Sequence, residues 1–113
     1  MKKIFLSITV LAIISCNSKK FVDADDAVIA NATEHPEQWL THGLNYNEDR
    51  YSLLTQINKD NVKTLGLAWV TDLGSKRGIE ATPLIADGIM YLSGAWSTIF
   101  AVDAKTGKQI WKY

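Results

Sequence analysis

The chain has 113 residues, of which 47% are hydrophobic, and its 12 basic and 12 acidic side chains give a formal net charge of zero. Nothing in this balance points to nucleic acid or to an acidic partner, and the hydrophobic fraction is compatible with a folded domain. Four tryptophans and four tyrosines are a heavy aromatic load for this length and favour a β-rich protein.

Residues 1–15 are predicted to be a lipoprotein signal peptide. Two lysines precede an apolar run, residues 4–14, which is too short to span a bilayer. The run ends in Ile-Ile-Ser-Cys, a sequence that resembles a bacterial lipobox, and Cys16 is the only cysteine of the chain. We expect Cys16 to become the lipidated first residue of the mature protein, anchored by several acyl chains. Because Asn17 follows in place of an aspartate, we expect the periplasmic side of the outer membrane; an ordinary secretory signal cleaved near Ala24 is the alternative.

Residues 16–24 are predicted to be a polar tether that leads into residues 25–113. A short helix is expected from residue 27 to residue 33, with Asp25 and Asp26 at its start. His35-Pro36 should end it, since the residue before a proline avoids the helical region. A helical turn at residues 58–63 and a strand at residues 65–73 are expected next.

Four strands are predicted in the last part of the chain, at residues 80–86, 89–93, 98–102 and 108–113. Asp87-Gly88 is a strong signal for a tight hairpin between the first two. Four strands in so short a stretch are the content of one propeller blade. Trp69 and Trp111 lie 42 residues apart, within the spacing of about 40 to 50 residues expected of propeller repeats.

The last predicted hairpin carries a longer pattern than a turn requires, A-x-D-x-x-T-G-x-x-x-W. Its fixed positions are Ala101, Asp103, Thr106, Gly107 and Trp111. Asp103 is expected to bond to the turn amides, and Thr106-Gly107 to supply a residue with positive φ. Trp111 is expected to dock on a neighbouring strand pair beside the small Ala101. The pattern resembles the tryptophan-docking motif of quinoprotein dehydrogenases, which are β-propellers.

A wider resemblance covers nearly all of residues 25–113. This part of the sequence is most similar to the opening of a pyrroloquinoline-quinone (PQQ) dependent alcohol dehydrogenase. The matching segments include Trp39-Leu40-Thr41-His42-Gly43, Arg50-Tyr51-Ser52, Gln56-Ile57-Asn58, Leu65-Gly66-Leu67-Ala68-Trp69 and Gly78-Ile79-Glu80-Ala81-Thr82-Pro83-Leu84. The resemblance implies an all-β fold, in which a signal segment and a short helix precede the first blade of an eight-bladed propeller. Residues 25–113 would then be the lead-in and first blade of an incomplete propeller.

For the site, the resemblance implies that Glu80 is the glutamate that reaches the cofactor from the first blade; a solvent-exposed acid at a strand end is the alternative. Lys76 and Arg77 are interpreted as ordinary surface charges, with attraction of the anionic cofactor as the alternative. His35 and His42 are interpreted as helix-end and turn residues. The family's adjacent cysteines, calcium ligands and catalytic aspartate lie further along its chain. We therefore expect PQQ and calcium in the full-length family, neither bound by this fragment alone, and no catalytic or metal-ligating residue here.

The function implied is oxidation of a small alcohol in the periplasm, with electrons passed to a quinone or cytochrome c, and with the fragment alone inactive. A non-catalytic propeller lipoprotein, a scaffold of outer-membrane assembly, is the alternative. The lipobox favours the scaffold, whereas the opening segments and Glu80 favour the dehydrogenase. Paired cysteines encoded beyond codon 113 would separate the two.

Overall fold

The computed structural model describes residues 24–113 of the chain. The predicted signal peptide, Cys16 and all but the last residue of the predicted tether lie outside the described residues. Between residues 24 and 113, none of the helices has the length and apolar character needed to cross a membrane.

The centre of the fold is one antiparallel sheet in which each strand pairs with its neighbours in sequence. Its strands are β1 (Leu84–Ala86), β2 (Ile89–Ser93), β3 (Ile99–Asp103) and β4 (Gln109–Lys112). The four predicted strands are therefore confirmed, with changes at their ends. The largest change is in β1, which begins at Leu84 and not at residue 80. Pro83, directly before it, has no N–H to give to a strand pairing.

The core lies on β3, which is flanked by β2 and β4. Phe100, Ala101 and Val102 are exposed by 2%, 0% and 2%, whereas all four residues of β4 are exposed. An inner strand whose side chains are covered from both sides explains this run of three buried apolar residues. The sheet is thus well packed at its middle and open at its last strand.

Three turns with left-handed backbone join the strands. Asp87 and Gly88 have φ of 51° and 76°, which is the type I′ geometry expected of an Asp-Gly hairpin. A single-turn 3₁₀ helix, Ala95–Ser97, joins β2 to β3 and places Trp96 at φ 61°. The third turn joins β3 to β4 and contains Gly107.

The lead-in to the sheet begins with α1 (Asp26–Ala30), followed by a 3₁₀ turn, Ala32–Glu34. The Asp25 carboxylate accepts a hydrogen bond from Val28 N at 3.0 Å, so the predicted acidic start is confirmed. The predicted continuous helix over residues 27–33 is wrong. Asn31, at φ −106° and ψ 33°, interrupts it while its side-chain amide donates to the carbonyl of Ala27.

Two other predicted elements differ from the structure. The helical turn expected at residues 58–63 is instead a 3₁₀ turn at Val62–Thr64. The residues before this 3₁₀ turn form a polar turn, because the Asn58 side chain accepts a hydrogen bond from Asp60 N at 3.0 Å. The strand expected at residues 65–73 is not formed within the described residues. Leu67 and Val70 are 84% and 82% exposed, so the segment has the apolar sequence of a strand without a strand beside it.

Candidate functional site

Glu80 lies in the extended segment that leads into β1, at the end of the sheet where β2 finishes. It lines an open groove of about 330 Å³ together with residues 78, 79, 81 and 93–95. Its side chain is exposed, and within residues 24–113 its carboxylate has no hydrogen-bond or ion-pair partner. A carboxylate that is held at a groove and not used by its neighbours is free to accept a hydrogen bond from a ligand.

The residues of this groove fit one contact with a polar cofactor. A carboxylate is an acceptor only, so Glu80 would receive an N–H or O–H of the bound group. Gly94, which lines the groove, lies so close to Phe100 that a Cβ added there would meet the ring at 2.8 Å. Among the residues that line the groove, Glu80 is the one with a charged side chain that could contact a polar ligand.

The docking hairpin is built around Asp103. One oxygen of its carboxylate accepts from Lys105 N at 3.1 Å and from both the backbone N and the hydroxyl of Thr106 at 2.8 Å. The hydrogen bond from the Thr106 hydroxyl, then that from its backbone N–H, hold the pKa of Asp103 below its usual value. A carboxylate so engaged is a weak base and a good brace, which is the interpretation that the sequence favours.

Gly107 is where the structure adds a contact that the sequence does not predict. Its φ is 73°, the positive value expected at this position, and its face is covered by the ring of Trp69. Trp69 Nε1 donates to the carbonyl of Ala104 at 3.2 Å, and the hydroxyl of Thr71 donates to the carbonyl of Gly107. Residues 69–71 are thus attached to the hairpin turn through a tryptophan that lies on a glycine.

Trp111 lies 42 residues after Trp69 in the sequence. In the sheet it pairs with Ala101, which pairs with Tyr91, and the Tyr91 and Trp111 rings are 6.0 Å apart at 49°. The small Ala101 between them leaves room for the two rings to approach. Trp111 remains 42% exposed. Its docking on a further strand pair stays a prediction.

Glu80 and the hairpin are not brought together, because they lie at opposite ends of the sheet. Ser93 of the Glu80 groove pairs with Ile99 at the start of β3, whereas Asp103 is at its end. The two groups of predicted residues therefore serve different parts of the molecule: one faces a groove, and the other braces a turn.

The histidines have side-chain partners in the lead-in. His42 Nε2 lies 2.8 Å from a guanidinium nitrogen of Arg50, and His35 Nδ1 lies 3.9 Å from a Glu37 carboxylate oxygen. Within residues 24–113, no three side chains of His, Cys, Asp or Glu converge on a point that could hold a metal ion.

Gln38, which the sequence analysis does not single out, lies at the Asp103 end of the sheet. It is buried, with 8% exposure, and its side-chain oxygen accepts from Asp87 N at 2.8 Å while its nitrogen donates to the Asp87 carboxylate at 3.2 Å. Trp39 beside it exchanges two backbone hydrogen bonds with Ile85, at 2.8 and 2.9 Å. Together they fasten the lead-in to β1. A lone glutamine carries no sequence signal for such a contact.

Comparison with known proteins shows what this arrangement is similar to. The family model for the β-propeller domain of PQQ glucose/ethanol/alcohol dehydrogenases matches residues 39–113. The quinohemoprotein alcohol dehydrogenase of Comamonas testosteroni is 54% identical over 88 residues, covering 78% of this chain and 12% of the relative. The dehydrogenase subunit of a quinone-linked alcohol dehydrogenase from Komagataeibacter europaeus is 45% identical over 111 residues, covering 93% and 15%.

The same likeness holds in three dimensions. The solved structure of quinohemoprotein alcohol dehydrogenase ADHIIG from Pseudomonas putida superposes with a TM-score of 0.76 and 48% identity, covering 79% of this chain and 13% of that one. The chain thus spans between 12% and 15% of the length of these three relatives.

Proposed function

Because the chain belongs to the β-propeller family of PQQ-dependent glucose, ethanol and alcohol dehydrogenases, we propose that it supplies the first blade of an enzyme that oxidises alcohols in the periplasm. The observation that carries the proposal is Glu80, whose carboxylate faces an open groove without a partner among residues 24–113. A scaffold blade needs no such carboxylate.

In the complete enzyme, bound PQQ supplies the oxidant that takes two electrons from the alcohol. The part of this chain is to position that cofactor. The segment before β1 and the end of β2 line the groove, and the Glu80 carboxylate would accept one hydrogen bond from the bound group. We propose that the complete enzyme also binds calcium and that its substrate is a small alcohol.

The electron acceptor is proposed to be a quinone or a cytochrome c. The relative from Komagataeibacter europaeus is named for a quinone, which supports the first of these. We further propose that the mature protein is anchored in the periplasm through Cys16; the support is the lipobox-like sequence at residues 13–16.

We also propose that the blade works only with further blades around it. One blade covers its two faces with its neighbours in a propeller, and about three repeats are usually needed for stability. In this structure Trp111 is 42% exposed and Ile110, beside it in β4, is 51% exposed. Side chains of this size at these positions fit an interface with a following blade.

Glu80→Gln in a complete enzyme that carries this segment tests the proposal. The substitution keeps the shape of the side chain and removes its charge, so PQQ affinity should fall about tenfold or more, the equivalent of one charge-assisted hydrogen bond. Titration of PQQ into the apo forms measures this. Glu34→Gln, an exposed glutamate in the lead-in, is the matched control and should bind PQQ like the parent.

The 113-residue chain with PQQ and calcium is a further sample, and it should reduce no dye in the presence of alcohol. Unchanged affinity and turnover in the Glu80→Gln enzyme would remove the cofactor role of Glu80. Dye reduction by the 113-residue chain would instead overturn the need for further blades.

A further inference from the structure

A second groove adjoins the Glu80 groove at the Ala95–Ser97 turn, where Ala95 lines both. Its volume is about 280 Å³. Three of its lining residues are cationic and two are aromatic: Lys76, Arg77, Lys112, Trp96 and Phe100. We call it the basic groove.

Arg77, one of the three cations, forms a cation–π contact with an aromatic ring of the groove. The guanidinium carbon of Arg77 lies 4.9 Å from the ring centroid of Trp96. The backbone of Arg77 is fixed by Ser75, whose hydroxyl accepts from Arg77 N and donates to Arg77 O, both at 3.1 Å. A guanidinium stacked in this way keeps the N–H groups at its edge available for the two oxygens of a carboxylate.

The second cation is placed by the core. Lys112 Nζ lies 5.5 Å from the ring centroid of Phe100, which is 2% exposed. Within the described part of the chain, neither these two cations nor Lys76 forms an ion pair or a side-chain hydrogen bond. The groove therefore presents positive charge that its own neighbourhood does not neutralise.

We propose that the basic groove binds an acidic polypeptide segment of a protein partner. Carboxylates of that segment would pair with Arg77 and Lys112, and an apolar side chain would cover Trp96. Net charge alone does not predict this, since the chain is neutral overall. The complementarity is local to one end of the sheet.

The open shape favours a polypeptide over a small carboxylate. Pockets for small molecules enclose their ligand and cover about 70–90% of its surface. Trp96 is 82% exposed, so the basic groove is too open to enclose a ligand in this way. Exposed tryptophan and arginine together are typical of the residues that dominate protein–protein contacts. The proposal is independent of the cofactor role of Glu80, which lies in the other groove.

The test uses the full 113-residue chain, labelled with ¹⁵N, and a short peptide of alternating glutamate and alanine. We expect the Trp96 indole and the amides of Arg77 and Lys112 to shift as the peptide is added, with an affinity that falls as salt is raised. The same peptide with glutamine for glutamate, and inorganic phosphate, are the comparison ligands and should bind much more weakly.

Arg77→Gln should weaken peptide binding about tenfold, the effect of one charge-assisted pair. Lys105→Gln removes the same charge from the β3–β4 turn, at the far end of the sheet, and should leave binding unchanged. Ala101 and Val102 are buried in β3, so unchanged amide shifts of these two residues show that the sheet is intact in a variant. If Arg77→Gln changes those shifts, Lys112→Gln takes its place. Binding of phosphate or the glutamine peptide as strong as that of the glutamate peptide would overturn the proposal. So would an absence of binding, or equal binding by the parent and the groove variant.

Discussion

Gly107→Ala tests whether the contact between Trp69 and the last hairpin stabilises the fold. Gly107 has φ 73°, where an L side chain costs about 1–2 kcal/mol. The new methyl group would also overlap the Trp69 ring. Moving the ring away gives up the hydrogen bond from Trp69 to Ala104, which is worth about 0.5–1.5 kcal/mol, together with part of the ring's packing. We expect the free energy of unfolding to fall by about 2–4 kcal/mol.

The chain contains a matched control, Gly88→Ala. Gly88 has φ 76°, and nothing lies within 4 Å of a Cβ added there, so this variant meets the backbone cost of about 1–2 kcal/mol alone. The difference between the two variants isolates the contact with Trp69. Urea unfolding of both, followed by tryptophan fluorescence, measures it. Equal losses of stability would refute the reasoning, whereas a Gly107→Ala chain that is unfolded beside a folded Gly88→Ala chain would agree with it.

Two further predictions concern single side chains. The hydrogen bonds from Thr106 lower the pKa of Asp103 from its usual 3.8, so its charge stabilises the hairpin above a pH of about 4, and this stabilisation is lost as the pH falls through the lowered pKa. Asp103→Asn keeps the acceptor oxygen without the charge and should make stability less sensitive to acid; urea unfolding at neutral and acidic pH measures this, and an unchanged dependence would contradict it. Labelling with a radioactive fatty acid should mark the parent chain and not Cys16→Ser, and equal label in both would exclude lipidation at Cys16.

The parts of the fold that the sequence predicts are those specified by neighbouring residues. Asp87-Gly88 predicts its hairpin because two adjacent residues with positive φ define the turn. Asp103 predicts the next turn because the three hydrogen bonds to its carboxylate come from residues two or three positions later. Such signals are complete within a few residues, so no knowledge of the packing is needed to interpret them.

The parts that the sequence does not predict are contacts between distant segments. Trp69 and Ala104 are 35 residues apart, and Gln38 and Asp87 are 49 apart. The same limitation explains the strand wrongly expected at residues 65–73. Its apolar sequence fits a strand, but pairing requires a second strand, and the structure shows side-chain attachment through Trp69 and Thr71 instead. The 42-residue separation of Trp69 and Trp111 was the available signal, and one interval does not say what either ring contacts.

The attachment of the lead-in to β1 has a consequence for the order of folding. Every strand pairing in the sheet joins neighbours in sequence, so each hairpin closes only a short loop. Far longer loops are closed by the hydrogen bonds that join Trp39 to Ile85 and Gln38 to Asp87. Loop closure costs more entropy as the loop lengthens. The hairpins should therefore form early in the folding reaction and the lead-in should join afterwards, onto a turn that already exists. Gln38 would then act late in folding, and its loss would accelerate unfolding while leaving the folding rate almost unchanged.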